Sequence, residues 1–394
     1  MKRLNRLSLL MLFALMGVVL SGCVGTRIGT SWSATELVSL YGQSRVMVAY
    51  NNILALVDAD TGVATRLQNP NGEVRVDDSG NPRLWFVDGN SAEGSQFFAR
   101  PVFKEVDGAT TLLVPSFTNR ILEVDLETAR LNSPAGYPLT GPAISDAAVD
   151  DERIYLGLKL RDVVALDRST LEQVWLFTTP AGIWAKPLLA DGVLYVATVD
   201  HQLYALSAET GEPVWAQPVD LGGLAGASPL LYDGFLYIGS YSHKLFKISL
   251  QGEIVGEYEA QNWIWSTPSV FEGTLYLTDL SGYVHAVNPE TMEGIWNAKH
   301  ATRGIRPAPV VTDKYVIAAS RDGRVYWLDR KDGALVFQRE VEGLPEILSD
   351  LLYVPRNPAQ GVAEDLVVVS TTDLSKLLVA YTVENGRSAW VYGR

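Results

Sequence analysis

Ala205-Leu206-Ser207-Ala208-Glu209-Thr210-Gly211-Glu212-Pro213-Val214-Trp215 is the stretch whose reading decides the fold, because its pattern keeps returning along the chain. The places equivalent to Gly211 are Gly62, Ala129, Leu171, Gly252, Met292, Gly333 and Gly386, at intervals of 67, 42, 40, 41, 40, 41 and 53 residues. A fixed period of roughly 40–50 residues marks a propeller or a solenoid. Within one unit, Pro187 to Ala190, Val193 to Thr198, Leu203 to Leu206 and Val214-Trp215 are runs of aliphatic, aromatic and β-branched residues. Asp191-Gly192, Asp200-His201 and Thr210-Gly211 separate them and supply turn chemistry. Each unit therefore reads as a four-stranded antiparallel meander. Such a sheet exposes two apolar faces and is unstable alone; radial packing against its neighbours buries both.

The expected fold is all-β, an eight-bladed β-propeller occupying residues 33–394 as a single domain. The two long intervals place insertions near 69–96 and 343–365, and Leu84 to Val87 reads as an extra strand within the first. The pattern of Ala at one, Gly at seven and Trp at eleven resembles the tryptophan-docking repeat of quinoprotein-type (PQQ-like) propellers. That resemblance implies that Trp175, Trp215, Trp296 and Trp390 wedge between blades, with Phe337 substituting in another copy. Arg66, Ser133 and Gly256 depart from the pattern, so looser blade junctions are expected there.

Residues 1–22 read as a lipoprotein signal peptide. Lys2, Arg3 and Arg6 precede an apolar run, Leu7 to Leu20, which is shorter than the roughly 20 residues of a membrane span. Leu20-Ser21-Gly22-Cys23 resembles a bacterial lipobox, which implies lipidation at Cys23 and a short tether over 23–32. Cys23 is the single cysteine, so no disulfide can form within the chain. The formal net charge is −13 before any leader is removed, and losing three basic residues makes it more negative. That acidity argues against nucleic-acid partners. The expected location is extracytoplasmic: the periplasmic face of an outer membrane where the host has one, otherwise the outer face of the cytoplasmic membrane.

Binding residues are sought in the connectors between blades. Gly182-Ile183-Trp184-Ala185-Lys186, Trp263-Ile264-Trp265-Ser266-Thr267 and Gly304-Ile305-Arg306-Pro307-Ala308 occupy equivalent places. If the first strand of each blade is innermost, Trp184, Trp265 and Arg306 gather at the mouth of the central channel, with Trp263 one layer out. With Lys186 and Arg303 they form a candidate partner-binding surface suited to an extended peptide. The same rings could instead plug the channel as packing. His201 and His243 read as solvated turn residues, while His285 and His300 lack an evident partner.

No catalytic, metal or cofactor residues are proposed. No calcium loop, nucleophile elbow or phosphate loop is found, and a lone cysteine cannot supply the vicinal disulfide common in quinoprotein dehydrogenases. Lipobox, eight units, docking repeat and length together resemble the BamB-like lipoproteins of outer-membrane β-barrel assembly. The resemblance implies a non-catalytic, membrane-anchored scaffold with protein partners such as a β-barrel assembly complex. A tethered ligand-binding or cell-surface propeller is the alternative, and a quinone-dependent dehydrogenase a more remote one. That family's Arg-containing partner loop is not recognisable in this chain.

Overall fold

The computed structural model describes residues 32–393 apart from 93 and 107–108. The leader and Cys23 lie outside these residues. Eight sheets of four consecutive antiparallel strands follow one another along the chain. Blade 4 illustrates the unit: Leu188–Ala190, Val193–Ala197, Gln202–Ser207 and Val219–Asp220, in register through Leu188↔Tyr195, Tyr195↔Ala205 and Leu203↔Val219. The second strand is apolar on both faces because both are covered, and Leu194 to Ala197 are all buried. Fourth strands alternate instead. In Leu335–Glu340 of blade 7, Val336, Gln338 and Glu340 are exposed while Phe337 and Arg339 are half-buried, as expected of a rim strand with one wet face.

Each junction between neighbouring blades has its own apolar core. Tyr195, Ala205 and Trp215 of blade 4 pack with Leu236, Ile238 and Phe246 of blade 5. The last junction joins Val368, Ala380 and Trp390 of blade 8 to Val46, Val48 and Val57 of blade 1. The ring thus closes by side-chain packing, without exchanging a strand between the two ends of the chain.

The eight positions equivalent to Gly211 all have positive φ, from 54° at Ala129 to 87° at Gly252. The turn after the third strand demands this conformation. Glycine adopts it freely, whereas Ala129, Leu171 and Met292 adopt it under strain. Glycine has a second reason to be there. A Cβ built on Gly211 would lie 2.7 Å from the Trp175 ring, and one on Gly62 would lie 2.5 Å from Trp390. Trp175, Trp215, Trp296 and Trp390 each donate Nε1–H to a backbone carbonyl of the next blade, at Ala208, Leu250, Arg330 and Ala59, over 2.9–3.1 Å. A buried indole needs such an acceptor, and the residue just after the third strand provides it each time.

Two departures from the repeat have structural substitutes. In blade 1 the fourth strand is Phe86–Asp88, paired with Ile53 to Ala55. The Leu84 to Val87 stretch is therefore not an extra strand; it carries the blade's own fourth strand, and the insertion lies before it. Arg66 belongs to that insertion, bridged to Leu84, while Trp85 is fully buried and donates Nε1–H to Leu126 O at 2.5 Å. In blade 7 the ring of Phe337 covers Gly386 and stacks on Trp327, with centroids 5.0 Å apart. The hydrogen bond that phenylalanine cannot make comes from Trp327 Nε1–H to Val383 O at 3.0 Å. Both junctions are thus filled by buried rings and bridged by an indole N–H bond, contrary to the looseness expected at Arg66. In blade 8 the added chain lies between the first two strands, around the short helical turn Pro358–Gln360. Ala363 N–H donates to Asp60 there, so this insertion braces the closing junction.

Candidate binding site at the channel mouth

One three-residue pattern leads into the first strand of every blade. It reads Trp32-Ser33-Ala34, Phe98-Ala99-Arg100, Ile144-Ser145-Asp146, Trp184-Ala185-Lys186, Gly226-Ala227-Ser228, Trp265-Ser266-Thr267, Arg306-Pro307-Ala308 and Leu348-Ser349-Asp350. All eight blades contribute to one cavity of about 140 Å³ at the channel mouth, which establishes that first strands are innermost. The middle residue is small in each triplet. The flanking positions supply two different chemistries. First positions are mostly aromatic or apolar; third positions include Arg100, Asp146, Lys186 and Asp350.

Arg306 sits at the centre of the aromatic part. Its guanidinium carbon lies 4.1 Å from the Trp265 ring centroid and 4.5 Å from that of Trp32, within the reach of cation–π attraction. Trp265 in turn faces Trp184 across Gly226, with ring centroids 6.2 Å apart. A Cβ on Gly226 would be 3.4 Å from the Trp265 ring, so the missing side chain makes room for it. On the other side Trp32 meets Phe98, and Phe98 meets Phe117 edge-on. Trp263 is 44% exposed and stacks flat on Tyr241, with centroids 4.5 Å apart. Burial pushes the Tyr241 hydroxyl pKa up to about 12, so it is neutral at physiological pH.

The charged part is a network rather than a set of free charges. The Arg100 guanidinium lies 3.5 Å from both Glu36 and Asp146, and its backbone N–H donates to Asp146 at 2.7 Å. Burial works against the charge on Arg100, but Asp146 and Glu36 hold its pKa above the ordinary value. Burial, with the Asp146 charge beside it, raises the Glu36 carboxyl pKa against the opposing pull of Arg100 and Lys186. Asp350 accepts from Ala308 N–H at 2.8 Å and so ties blade 8 to blade 7.

Of the residues singled out in the sequence, Trp184, Lys186, Trp265 and Arg306 line this cavity. Trp263 stands beside it. Arg303 does not converge with them: it pairs with Glu346, which also binds Arg321 at 3.1 Å. Its position two residues before Ile305 turns it onto the outer connector surface. Sequence reasoning missed Trp32, Arg100, Glu36, Asp146 and Tyr241. The signal for Trp32 is present, since Trp32-Ser33 lines up with Trp265-Ser266, but Trp32 falls inside the expected tether over 23–32. Phe98-Ala99-Arg100-Pro101 likewise parallels Trp184-Ala185-Lys186-Pro187.

His285 and His300 differ from the reading of the sequence, while His201 is the exposed turn residue it expects. His285 is fully buried, with Nε2 3.2 Å from Asp279 and Nδ1 3.0 Å from the Tyr258 hydroxyl. His300 Nε2 meets Gly333 O at 3.0 Å, and His201 pairs with Asp220 at 3.1 Å. Among the described residues no group of three or more His, Cys, Asp or Glu side chains is arranged to hold a metal ion.

Fold and site together define an eight-bladed β-propeller with indole-docked blades and an aromatic, charged channel mouth. The family model for outer membrane protein assembly factor BamB matches residues 124–263 and 260–394, and the chain belongs to this family. It is 23% identical over 207 residues to outer membrane protein assembly factor BamB of Yersinia pestis, covering 50% of this chain and 44% of that protein. Against the protein of the same name from Moranella endobia (strain PCIT) the identity is 21% over 248 residues, 60% of this chain and 51% of the relative. The matches thus span about half the length of these curated relatives. The crystal structure of BamB from Moraxella catarrhalis superposes with a TM-score of 0.62 at 16% identity, covering 88% of this chain and 95% of that one. The computationally designed Ika8 protein superposes equally well, at 0.64 and 11% identity, over 89% of this chain and 97% of its own. Since a designed protein shares the architecture, the likeness speaks for the fold alone.

Proposed function

We propose that this propeller is a non-catalytic, membrane-tethered scaffold that serves outer-membrane β-barrel protein assembly from the extracytoplasmic side. The observation that carries the reading is membership of the BamB family over most of the propeller, supported by curated relatives named as assembly factors. Its working surface is the connector face. There an exposed indole, Trp263, and the exposed cation Lys186 surround the channel mouth. Rings of this kind stack on extended peptide, and cations add charge-assisted hydrogen bonds. Cys23 carries the anchor, with two or more acyl chains giving firm attachment.

Deleting the gene from its host is expected to lower the amount of folded β-barrel proteins in the outer membrane. Reintroducing the wild-type gene should restore it, and reintroducing a Trp263→Ala, Lys186→Ala double variant should restore less. Unchanged barrel levels in the deletion strain would overturn the assembly role. The Cys23→Ser protein should move to the soluble extracytoplasmic fraction; firm membrane attachment of that variant would remove the anchor from the reading.

A further inference from the structure

Arg306 is a half-buried cation whose surroundings leave its donors unused. Among the described residues no carboxylate lies within ion-pair distance, and no protein acceptor takes any of its N–H groups. Its Nε is buried without a partner. The Trp32 and Trp265 rings answer the positive charge through their π faces, but a ring face offers the planar N–H fork no lone pair. Leaving a charged donor buried and unmatched is costly. Asp350, whose charge acts on Arg306 from the same cavity, makes no ion pair with it and accepts from Ala308 N–H. Burial lowers the Arg306 pKa to about 10, which still leaves it charged at neutral pH.

We propose that the channel mouth is a carboxylate-binding site, in which the Arg306 fork takes the two oxygens and the indoles of Trp32, Trp184 and Trp265 hold the attached apolar group. Planar bidentate pairing is what a guanidinium does best with a carboxylate. Two features select a carboxylate over a phosphate. Asp146 and Asp350 line the same cavity and oppose a doubly charged ligand more strongly than a singly charged one. The cavity of about 140 Å³ is also well below the roughly 300–1,000 Å³ of drug-sized pockets, so it admits a chain end or a side chain rather than a whole cofactor. Lys186, exposed at the rim and without an ion pair among the described residues, adds attraction on the way in. The site stands on the geometry of the channel, whichever assembly the propeller serves. The carboxylate could come from a chain terminus or from an acidic side chain.

The test is titration of the folded protein, followed by tryptophan fluorescence, with N-acetylphenylalanine and with its amide. Saturable binding of the acid, at least tenfold weaker for the amide, is expected. Arg306→Gln should weaken the acid tenfold or more, whereas Arg303→Gln, already paired to Glu346, should leave it unchanged. Binding of acid and amide alike, or no saturable binding to wild type, would overturn the site and confirm the rings as channel packing. Should Arg306→Gln fail to fold, the Nε–H resonance of Arg306 in ¹⁵N-arginine-labelled wild type decides. It must shift with the acid and not with the amide, and an unmoved resonance overturns the proposal. Three short Gly/Ser peptides separate the sources: one with a free terminus, one amidated, and one amidated with a central Glu. Binding of the first alone assigns a chain terminus, and binding of the third assigns a side chain. If neither the first nor the third binds, recognition of peptide carboxylates is ruled out.

Discussion

The junction between blades 4 and 5 and the junction between blades 5 and 6 solve the same packing problem with opposite parts. At the first, the large ring of Trp215 lies on Gly252, and its Nε1–H reaches Leu250 O at 2.9 Å. At the second, the small residue Gly256 lies under Met292, whose side chain fills the space the ring would occupy. The carbonyl that an indole would satisfy, Pro289 O, accepts instead from Tyr237 and Lys247 at 3.1 and 2.8 Å. The repeat specifies a volume and one donor per junction, not a particular residue. Glycine at the turn is needed twice over where a ring covers it. Where none does, methionine tolerates a φ of 56°.

The largest test of this comparison is Trp215→Ala. Truncating a buried ring should cost about 3–5 kcal/mol, read from urea unfolding. A loss below about 1 kcal/mol, in the range of surface substitutions, would mean that the ring is no wedge.

A sharper contrast comes from two glycines. Gly252→Ala places a methyl 2.9 Å from the Trp215 ring at a φ of +87°, and should cost at least 1–2 kcal/mol, as strained positions do. Gly256→Ala crowds only the flexible Met292 side chain, at 2.8 Å, with Lys247 Cβ at an ordinary 3.6 Å, and should cost less. In Trp215→Ala, the added penalty of Gly252→Ala should shrink to its backbone part, because the clash partner is gone. Equal costs at the two glycines would remove the distinction.

The second junction also carries a buried pair of ionisable side chains. Asp279 and His285 are both fully buried and in contact. Burial raises the Asp279 pKa, but the bonds from His285, Tyr283 and Ser281 outweigh it and hold the carboxyl below its ordinary 3.8. A depressed carboxyl pKa contributes stability that is present above the unfolded value and lost as pH falls through the folded one. Asp279→Asn should therefore destabilise at neutral pH by about 1–3 kcal/mol and flatten the fall in stability below pH about 4. An unchanged acid limb would assign that fall to other carboxylates.

The smallest effect separates the two uses of tryptophan. Trp263→Ala, an exposed ring stacked on Tyr241, should change stability by less than about 1 kcal/mol. A melting temperature lowered as far as in Trp215→Ala would make Trp263 a structural ring too.

The repeat around Gly211 was enough to determine eight four-stranded blades, because each blade's turns, strand lengths and docking ring are written within about 41 residues. The same local pattern located Trp175, Trp215, Trp296 and Trp390. It could not reveal that Trp85 stands in for a missing ring and Trp327 for a missing donor, since both come from outside the eleventh position and act only once the neighbouring blade is in place. The channel mouth belongs wholly to the closed ring. Trp32 and Arg306 enter blades 1 and 7, far apart in the chain, and Arg100 meets Glu36 and Asp146 from three different blades. A single blade contributes only one or two of these side chains, so their meeting, and the unpaired fork of Arg306 among them, is decided by ring closure.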